Sequence, residues 1–167
     1  MANVNQTLVS NHLASPRVHS PSYQLGGRMR VACGTIAAAA GDLSAGDTIM
    51  LAPIPSNAAV ISIKIYNDDL DSGSTVTMHV GLYKDDGDAT AVDVDAYASA
   101  TTDLRAAVTT GTEVAFEARN INTMGQRVWE DAGASTDPGG HYLIGIETDA
   151  AGDTAGDISF AITYVVD

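Results

Sequence analysis

The sequence predicts an all-β protein, an antiparallel β-sandwich of jelly-roll type preceded by an extended N-terminal arm. About eight short runs alternate apolar and polar side chains, which is typical of half-buried strands. Clusters of Gly, Asp, Asn and Pro separate these runs, as turns require. No long stretch has the apolar spacing of a helix, and 167 residues suffice for one domain with a core.

The arm and the first strands follow from the order of these signals. Residues 1–22 contain Pro16 and Pro21 and show no sustained apolar period, so we expect an extended arm. The β-sandwich domain is then expected over residues 23–167. Strands are predicted in RMRVACGTIA, TIMLAPI and VISIKIY, with Ile61, Ile63 and Ile65 on one face of the last.

The acidic stretch YNDDLDSGSTV raises the alternative of a calcium loop. Its spacing fails the EF-hand pattern, because Ser72 stands where the loop needs glycine and Met78 where it needs a bidentate glutamate. The run that follows alternates, with four apolar residues expected on one face: Val76, Met78, Val80 and Leu82. The stretch is therefore interpreted as an acidic turn between two strands.

The second half of the chain is less regular. Residues 84–108 do not alternate cleanly, so we expect a long connection there rather than a core strand. Further alternation is visible in TEVAFEA (112–118), and VWEDAG (128–133) leads into a turn. HYLIGIET (141–148) and the closing DISFAITYVVD are predicted strands, the latter with one apolar face: Ile158, Phe160, Ile162, Tyr164 and Val166.

Charge is distributed unevenly along the chain. Residues 1–41 carry Arg17, Arg28 and Arg30 and no carboxylate, a net charge of +3. Residues 42–167 carry five basic and twenty-one acidic residues, a net charge of −16. Because so acidic a body repels phosphates, no nucleic-acid partner is expected. The basic, polar arm is expected to lie on another surface, although a leader without a partner is an alternative.

The sequence gives no support for a membrane helix, a signal peptide or an intrachain disulfide. No run approaches the eighteen apolar residues of a membrane helix, so no membrane partner is expected. The first eighteen residues lack the apolar segment of a signal peptide, and a lone Cys33 cannot form an intrachain disulfide. These features favour a protein made in a cytoplasm. Cys33, in the first strand, is expected to be a small buried residue.

No catalytic constellation is apparent, so we expect a protein that is not an enzyme. The four histidines lack zinc-ligand spacing, and neither a nucleophile elbow nor a phosphate-binding loop is present. The sequence thus predicts no catalytic residue, no metal and no cofactor. Spacing alone leaves a Ser/His/Asp triad open, and a cation at Asp85–Asp88 also remains an alternative.

The order of motifs resembles that of small structural proteins of tailed-bacteriophage heads. The similarity lies in the GDTI turn and strand, APIPSNAAV, ISIKIYND, the strand ending in VGLY, ATAVDVDAYASATTDL and ISFAITYVVD. It extends over most of residues 23–167. The resemblance implies a capsid decoration (cement) protein, often trimeric, that clamps neighbouring major capsid subunits from the outer surface of the assembled head.

This resemblance sets the expected partners and site. The partners would be the major capsid protein and two further copies of the chain, on a virion assembled in the host cytoplasm. We hypothesise that Arg17, Arg28 and Arg30 meet carboxylates of the shell. The competing classes are a head-fibre base or tail component, a carbohydrate-binding or enzymatic β-sandwich, and a β-domain of unrelated bacterial function.

Overall fold

Two four-stranded antiparallel sheets form the computed structural model, which describes residues 4–166. One sheet has the order β1-β8-β3-β6 and the other β2-β7-β4-β5, so β4 and β5 are the only consecutive strands that pair. This alternation of the chain between two sheets is the jelly-roll arrangement, and it confirms the predicted fold class. The strands are β1 (Arg28–Ala38), β2 (Thr48–Pro55), β3 (Ala59–Asn67), β4 (Thr77–Lys84), β5 (Ala91–Thr101), β6 (Val108–Glu113), β7 (His141–Ala150) and β8 (Gly156–Val166).

The core lies between the sheets and consists mainly of aliphatic side chains. Ile63 and Ile65 of β3 are fully buried, as are Val80 and Leu82 of β4. Complete burial of one such side chain contributes roughly 1.5–3 kcal/mol to stability. The apolar faces that the sequence predicts for the β4 run and for β8 belong to this cluster, either buried in it or packed against it: Val76, Met78, Val80, Leu82, Ile158, Phe160, Ile162, Tyr164 and Val166. The alternate residues Tyr142, Ile144 and Ile146 of the predicted strand β7 do so as well.

Ile61 is an exception to the predicted face of β3. The register against β8 shifts between Val60 and Ser62, which inserts one extra residue into β3. Val60 therefore enters the core, whereas Ile61 is half-buried and lines a groove outside it. The alternation seen in the sequence is real, but a bulge displaces its first member.

The expectation of a long connection over residues 84–108 is wrong, because Ala91–Thr101 form β5. The pairing of β5 with β4 shifts register at three places, so the strand does not keep a period of two. Tyr97 and Ala98 are consecutive and both fully buried, which no regular strand allows on one face. Bulges thus removed the alternation that would have identified the strand.

Two other segments differ from the sequence prediction. In 112–118 the strand ends at Glu113, because its carboxylate accepts hydrogen bonds from the backbone N–H groups of Ile63 and Ala115, at 2.9 and 3.1 Å. The Glu113 side chain thus accepts hydrogen bonds that the backbone of a continuing strand would otherwise form. Within 128–133, a one-turn helix α2 (Val128–Asp131) begins where the Glu130 carboxylate accepts from the N–H of Arg127, at 2.7 Å.

The arm is not extended throughout. Thr7–Leu13 form helix α1, which begins where the Gln6 side chain accepts from the N–H of Leu8 at 2.6 Å. The helix ends before Pro16, and none of its residues is buried. The boundary between arm and domain after residue 22 stays a prediction. Across residues 4–166, no helix combines the length and the apolar character needed to span a bilayer.

Candidate interaction surface

The N-terminal sixth of the described chain carries most of its exposed large apolar side chains. Nine large apolar side chains are exposed within residues 4–166, and seven of them lie in residues 4–31: Val4, Val9, Leu13, Val18, Leu25, Met29 and Val31. Val4 is 98% exposed and Met29 68%. Monomeric proteins rarely leave such a concentration uncovered unless a partner contacts it. We call residues 4–31 the N-terminal surface.

Strand β1 forms the end of this surface and lies at the edge of its sheet. It pairs with β8 over its whole length and, among the described residues, with no strand on the other side. Its backbone therefore offers a row of unpaired N–H and C=O groups. Met29, Val31 and Cys33 share one face, while Arg28 and Arg30 share the other, next to Val166 and Tyr164 of β8.

Cys33 is exposed, which corrects the expectation of a buried residue. The reason is that Cys33 shares a face of β1 with Met29 and Val31, whereas the residues that pack on the core, Ala32, Ile36 and Ala38, lie on the other face. Exposure is continuous from residue 28 to residue 31, on both faces. An alternating pattern in the sequence indicates a strand, but it does not distinguish an edge from a centre.

The three arginines named from the sequence lie in two different elements. Arg17 is exposed in the bend after α1, where it lines a small groove with His12, His19 and Leu25. Arg28 and Arg30 belong to β1 and are also exposed. Within residues 4–166, none of the three forms an ion pair with a carboxylate. They share the N-terminal surface without forming a single cluster.

A groove of about 550 Å³ separates the arm from the sandwich. The guanidinium of Arg127 lies over the Tyr23 ring, 4.4 Å from its centroid, and holds the end of the arm against the domain. Beyond Tyr23 the groove is bordered by Ile61, Ile121 and Met124. Ile121 and Met124 are the two exposed apolar residues that lie outside the N-terminal surface in sequence, yet they border it in space.

The segment that carries β5 and β6 is acidic. Residues 85–117, which include β5 and β6, contain eight carboxylates and one cation, Arg105. Burial, and then the neighbouring Asp95 side chain, raise the pKa of Asp93 on β5. Hydrogen bonds from Ser99 and Asp93 lower the pKa of Asp95. We call Asp93, Asp95 and their strand the acidic edge, since β5 pairs only with β4.

The acidic turn between β3 and β4 is held together by Asp71. Its buried carboxylate accepts hydrogen bonds from the N–H groups of Gly73, Thr75 and Val76, at 3.1, 2.5 and 2.9 Å. These bonds to the ionised form lower the pKa of Asp71 to about 2. The carboxylate that a calcium loop would direct at a cation is here directed at the backbone.

The neighbouring turns interlock with this one. Asp153, in the turn between β7 and β8, accepts from the N–H and the hydroxyl of Ser72, at 2.7 and 2.6 Å. Asp68 accepts from the N–H of Asp157 at 2.9 Å. The aspartates at this end of the sandwich thus act as acceptors that connect turns, the role that their position among Gly, Ser and Thr favours.

No candidate metal centre emerges from the described residues. Residues 4–166 contain no group of three or more His, Cys, Asp or Glu side chains placed to hold an ion. In the Asp85–Asp88 segment, Asp86 accepts from the N–H of Thr90 at 3.2 Å. Among the histidines, Nδ1 of His79 accepts from the N–H of Ala100 at 3.0 Å, and its Nε2 lies 3.6 Å from the Asp149 carboxylate.

A buried ion pair fixes the wall beneath the groove. Nη2 of Arg119 lies 3.3 Å from the Asp131 carboxylate, and both side chains are about 95% buried. The guanidinium also donates to the carbonyls of Val60 and Thr123 and stacks on Tyr97 and Phe116. Burial raises the pKa of Asp131 to about 6, against the opposing effect of Arg119. Tyr97 donates to the same carboxylate at 3.3 Å.

Comparison with known proteins connects this fold to virus shells. No protein-family model matches the chain, and no curated protein matches its sequence. Its fold is similar to a chain of the cyanophage Pam1 capsid asymmetric unit, with a TM-score of 0.58, 20% identity and complete coverage of both chains. A chain from the capsid of Ralstonia phage GP4 gives a TM-score of 0.58 at 19% identity, with 84% of each chain covered. At these identities the similarity establishes a shared jelly-roll fold.

Proposed function

We propose that this protein is a non-enzymatic capsid decoration (cement) protein, which binds the outer surface of an assembled phage head and clamps neighbouring major capsid subunits. The observation that carries the proposal is the N-terminal surface, which concentrates exposed apolar side chains and cations on a fold shared with chains of two phage capsids.

The chemistry of this surface suits docking onto a protein shell. Removal of apolar area from water favours association, and the surface carries three arginines and no carboxylate. Arg17, exposed beside α1, would meet carboxylates of the shell. The strongly acidic remainder of the chain would face away from the shell and toward solvent. Arg28 and Arg30 can reach either the shell or a neighbouring copy, because they lie at a free strand edge.

Clamping also requires that several contacts act together. We propose that the protein binds as a homotrimer, so that three N-terminal surfaces engage different capsid subunits at once. Linked weak contacts then reach an avidity that exceeds each single affinity by a factor on the order of 10² or more. A monomer, which binds through a single arm, would dissociate from the capsid readily.

The test uses particles of the virus that encodes the chain, stripped of the protein and then mixed with purified variants. Deletion of residues 1–22 and Arg17→Glu are expected to reduce the number of bound copies, whereas Arg17→Lys retains binding. Lys64→Glu makes the same charge change on β3, far along the chain from the arm, and is the matched control. Unchanged occupancy after the arm deletion would refute the role of the arm.

Copy number separates the decoration role from the other virion roles. Quantitative mass spectrometry of intact particles is expected to give a simple lattice ratio to the major capsid protein. A few copies per particle would instead indicate a vertex or tail component. Absence from particles would exclude both.

A further inference from the structure

We propose that two copies of this chain associate head to tail through their sheet edges, with β1 of one copy pairing with β5 of the next. The proposal concerns the purified chain alone and does not depend on capsid binding. In this contact the acidic edge of a second copy covers β1, the unpaired basic edge of the N-terminal surface.

Both strands have backbone groups available for such pairing. β1 is free along one side from Arg28 to Ala38, and β5 pairs only with β4. The N–H of Ala118 donates to the carbonyl of Tyr97 at 2.8 Å, which closes the distal part of the β5 edge and leaves residues 91–96 open. β5 changes register against β4 twice between residues 91 and 98, so the contact would be a short ladder interrupted by bulges rather than a regular one.

Charge complementarity selects these two edges for each other. Arg28 and Arg30 lie two residues apart on one face of β1. Asp93 and Asp95 lie two residues apart on β5, and their side chains are close enough to interact with each other. In an antiparallel ladder, two cations with this spacing can stand opposite two carboxylates with the same spacing, Arg28 against Asp95 and Arg30 against Asp93. Opposite-charge cross-strand pairs stabilise a sheet, and like charges destabilise it.

Within residues 4–166, the isolated chain leaves the two arginines without a carboxylate partner and places the two aspartates of β5 beside each other. Among the described residues, Arg28 and Arg30 form no ion pair, and the neighbours opposite them on β8 are Val166 and Tyr164. On β5, the raised pKa of Asp93 reflects its burial and the adjacent Asp95 carboxylate. Two guanidinium groups placed beside these carboxylates would relieve their repulsion.

Pairing of two β1 edges with each other is disfavoured by the same argument. Two copies meeting through β1 would bring four arginines together, because each β1 carries two arginines and no carboxylate. Pairing of two β5 edges would bring together segments that each carry eight carboxylates and one cation. The head-to-tail contact joins unlike edges, so it is heterologous, and it forms a closed ring when the rotation between copies permits.

The test is a charge swap measured by sedimentation velocity on the full chain. Arg28→Glu with Arg30→Glu, or Asp93→Lys with Asp95→Lys, is expected to weaken association by at least about tenfold. The chain that carries all four substitutions restores opposite charges at the contact, so its association is expected to return toward that of the unmodified protein. A symmetric β1–β1 contact predicts no such recovery, because four glutamates would then meet.

Controls separate this contact from net charge and from misfolding. Asp85→Lys with Asp88→Lys, and Lys64→Glu with Lys84→Glu, change the net charge equally but at positions outside the paired residues of β1 and β5, and they are expected to weaken association less than the two edge reversals. The neutral pair Asp93→Asn with Asp95→Asn keeps side-chain size and is expected to weaken association less than the reversal. A monomeric unmodified chain, or association that survives both edge reversals, would overturn the proposal.

Discussion

The turns at one end of the sandwich and the N-terminal surface differ in whether their side chains have partners within the chain. In the turns, Asp71 and Asp153 accept several hydrogen bonds each, and their charges are used within the chain. At the N-terminal surface, Met29 and Val31 are exposed and Arg28 and Arg30 form no ion pair within residues 4–166. The difference separates a region whose charges are satisfied by its own fold from one whose side chains remain exposed and unpaired within residues 4–166.

The strongest way to break the completed region is to remove Arg119. Arg119→Met leaves the Asp131 carboxylate buried without its cation and deletes bonds to two carbonyls. We expect a loss of about 3–5 kcal/mol in the free energy of unfolding, the range for breaking a buried pair. Urea denaturation measures it, with Lys64→Met on the exposed face of β3 as the control. A loss equal to that of the control would contradict the structural role of the pair.

The pH dependence of the same pair gives the next largest effect. Burial raises the pKa of Asp131 to about 6 from an ordinary value of 3.8, so the folded protein binds a proton here more tightly than the unfolded chain. Stability relative to Asp131→Asn is therefore expected to increase as the pH falls from 7 to 4, by up to about 3 kcal/mol. Parallel urea titrations at several pH values test this. A constant difference would show that Asp131 ionises at its ordinary pKa.

The Asp71 turn responds to pH with the opposite sign. Hydrogen bonds lower the pKa of Asp71 to about 2, so its stabilisation is present above pH 3.8 and is lost as the pH falls toward 2. Asp71→Asn is expected to lower the melting temperature at pH 7. The difference in melting temperature between this variant and the unmodified protein is expected to shrink as the pH falls toward 2. Asp85→Asn, an exposed carboxylate of another turn, is the matched control and is expected to cause no comparable loss.

The smallest effect on stability is expected at the N-terminal surface. Met29→Ser with Val31→Ser alters two exposed side chains, and such changes usually shift the free energy of unfolding by no more than about 0.5 kcal/mol. Association and capsid binding are nevertheless expected to weaken. If the variant unfolds readily, these residues support the fold of the monomer, and the contrast between the two regions fails.

Sequence patterns captured the regions where local signals and packing agree. The strands around Ile63, Val80 and Ile162 alternate because each has one buried face, so their period was visible. β5 was missed because its three register shifts against β4 abolish the period. The end of β6 depends on the reach of Glu113 to another strand, which no local pattern encodes.

The candidate surface was only partly foreseen. The three arginines were identified from the charge asymmetry of the chain, yet their division between the arm and β1 required the fold. The exposed apolar residues were missed, although Val9 and Leu13 have the four-residue spacing of one helix face. Whether an apolar side chain is buried or awaits a partner depends on strand order, and strand order is set by pairing between distant residues.

Helix α1 has a consequence for how docking can be followed in time. Its seven residues are fewer than an isolated helix needs to persist in water, and none of them is buried. The exposed bond after Arg17 is therefore open to trypsin, whereas Arg28 and Arg30 are held in a ladder with β8. A partner that covers the arm would slow this first cleavage, so the rate of digestion would report the fraction of arms that are covered.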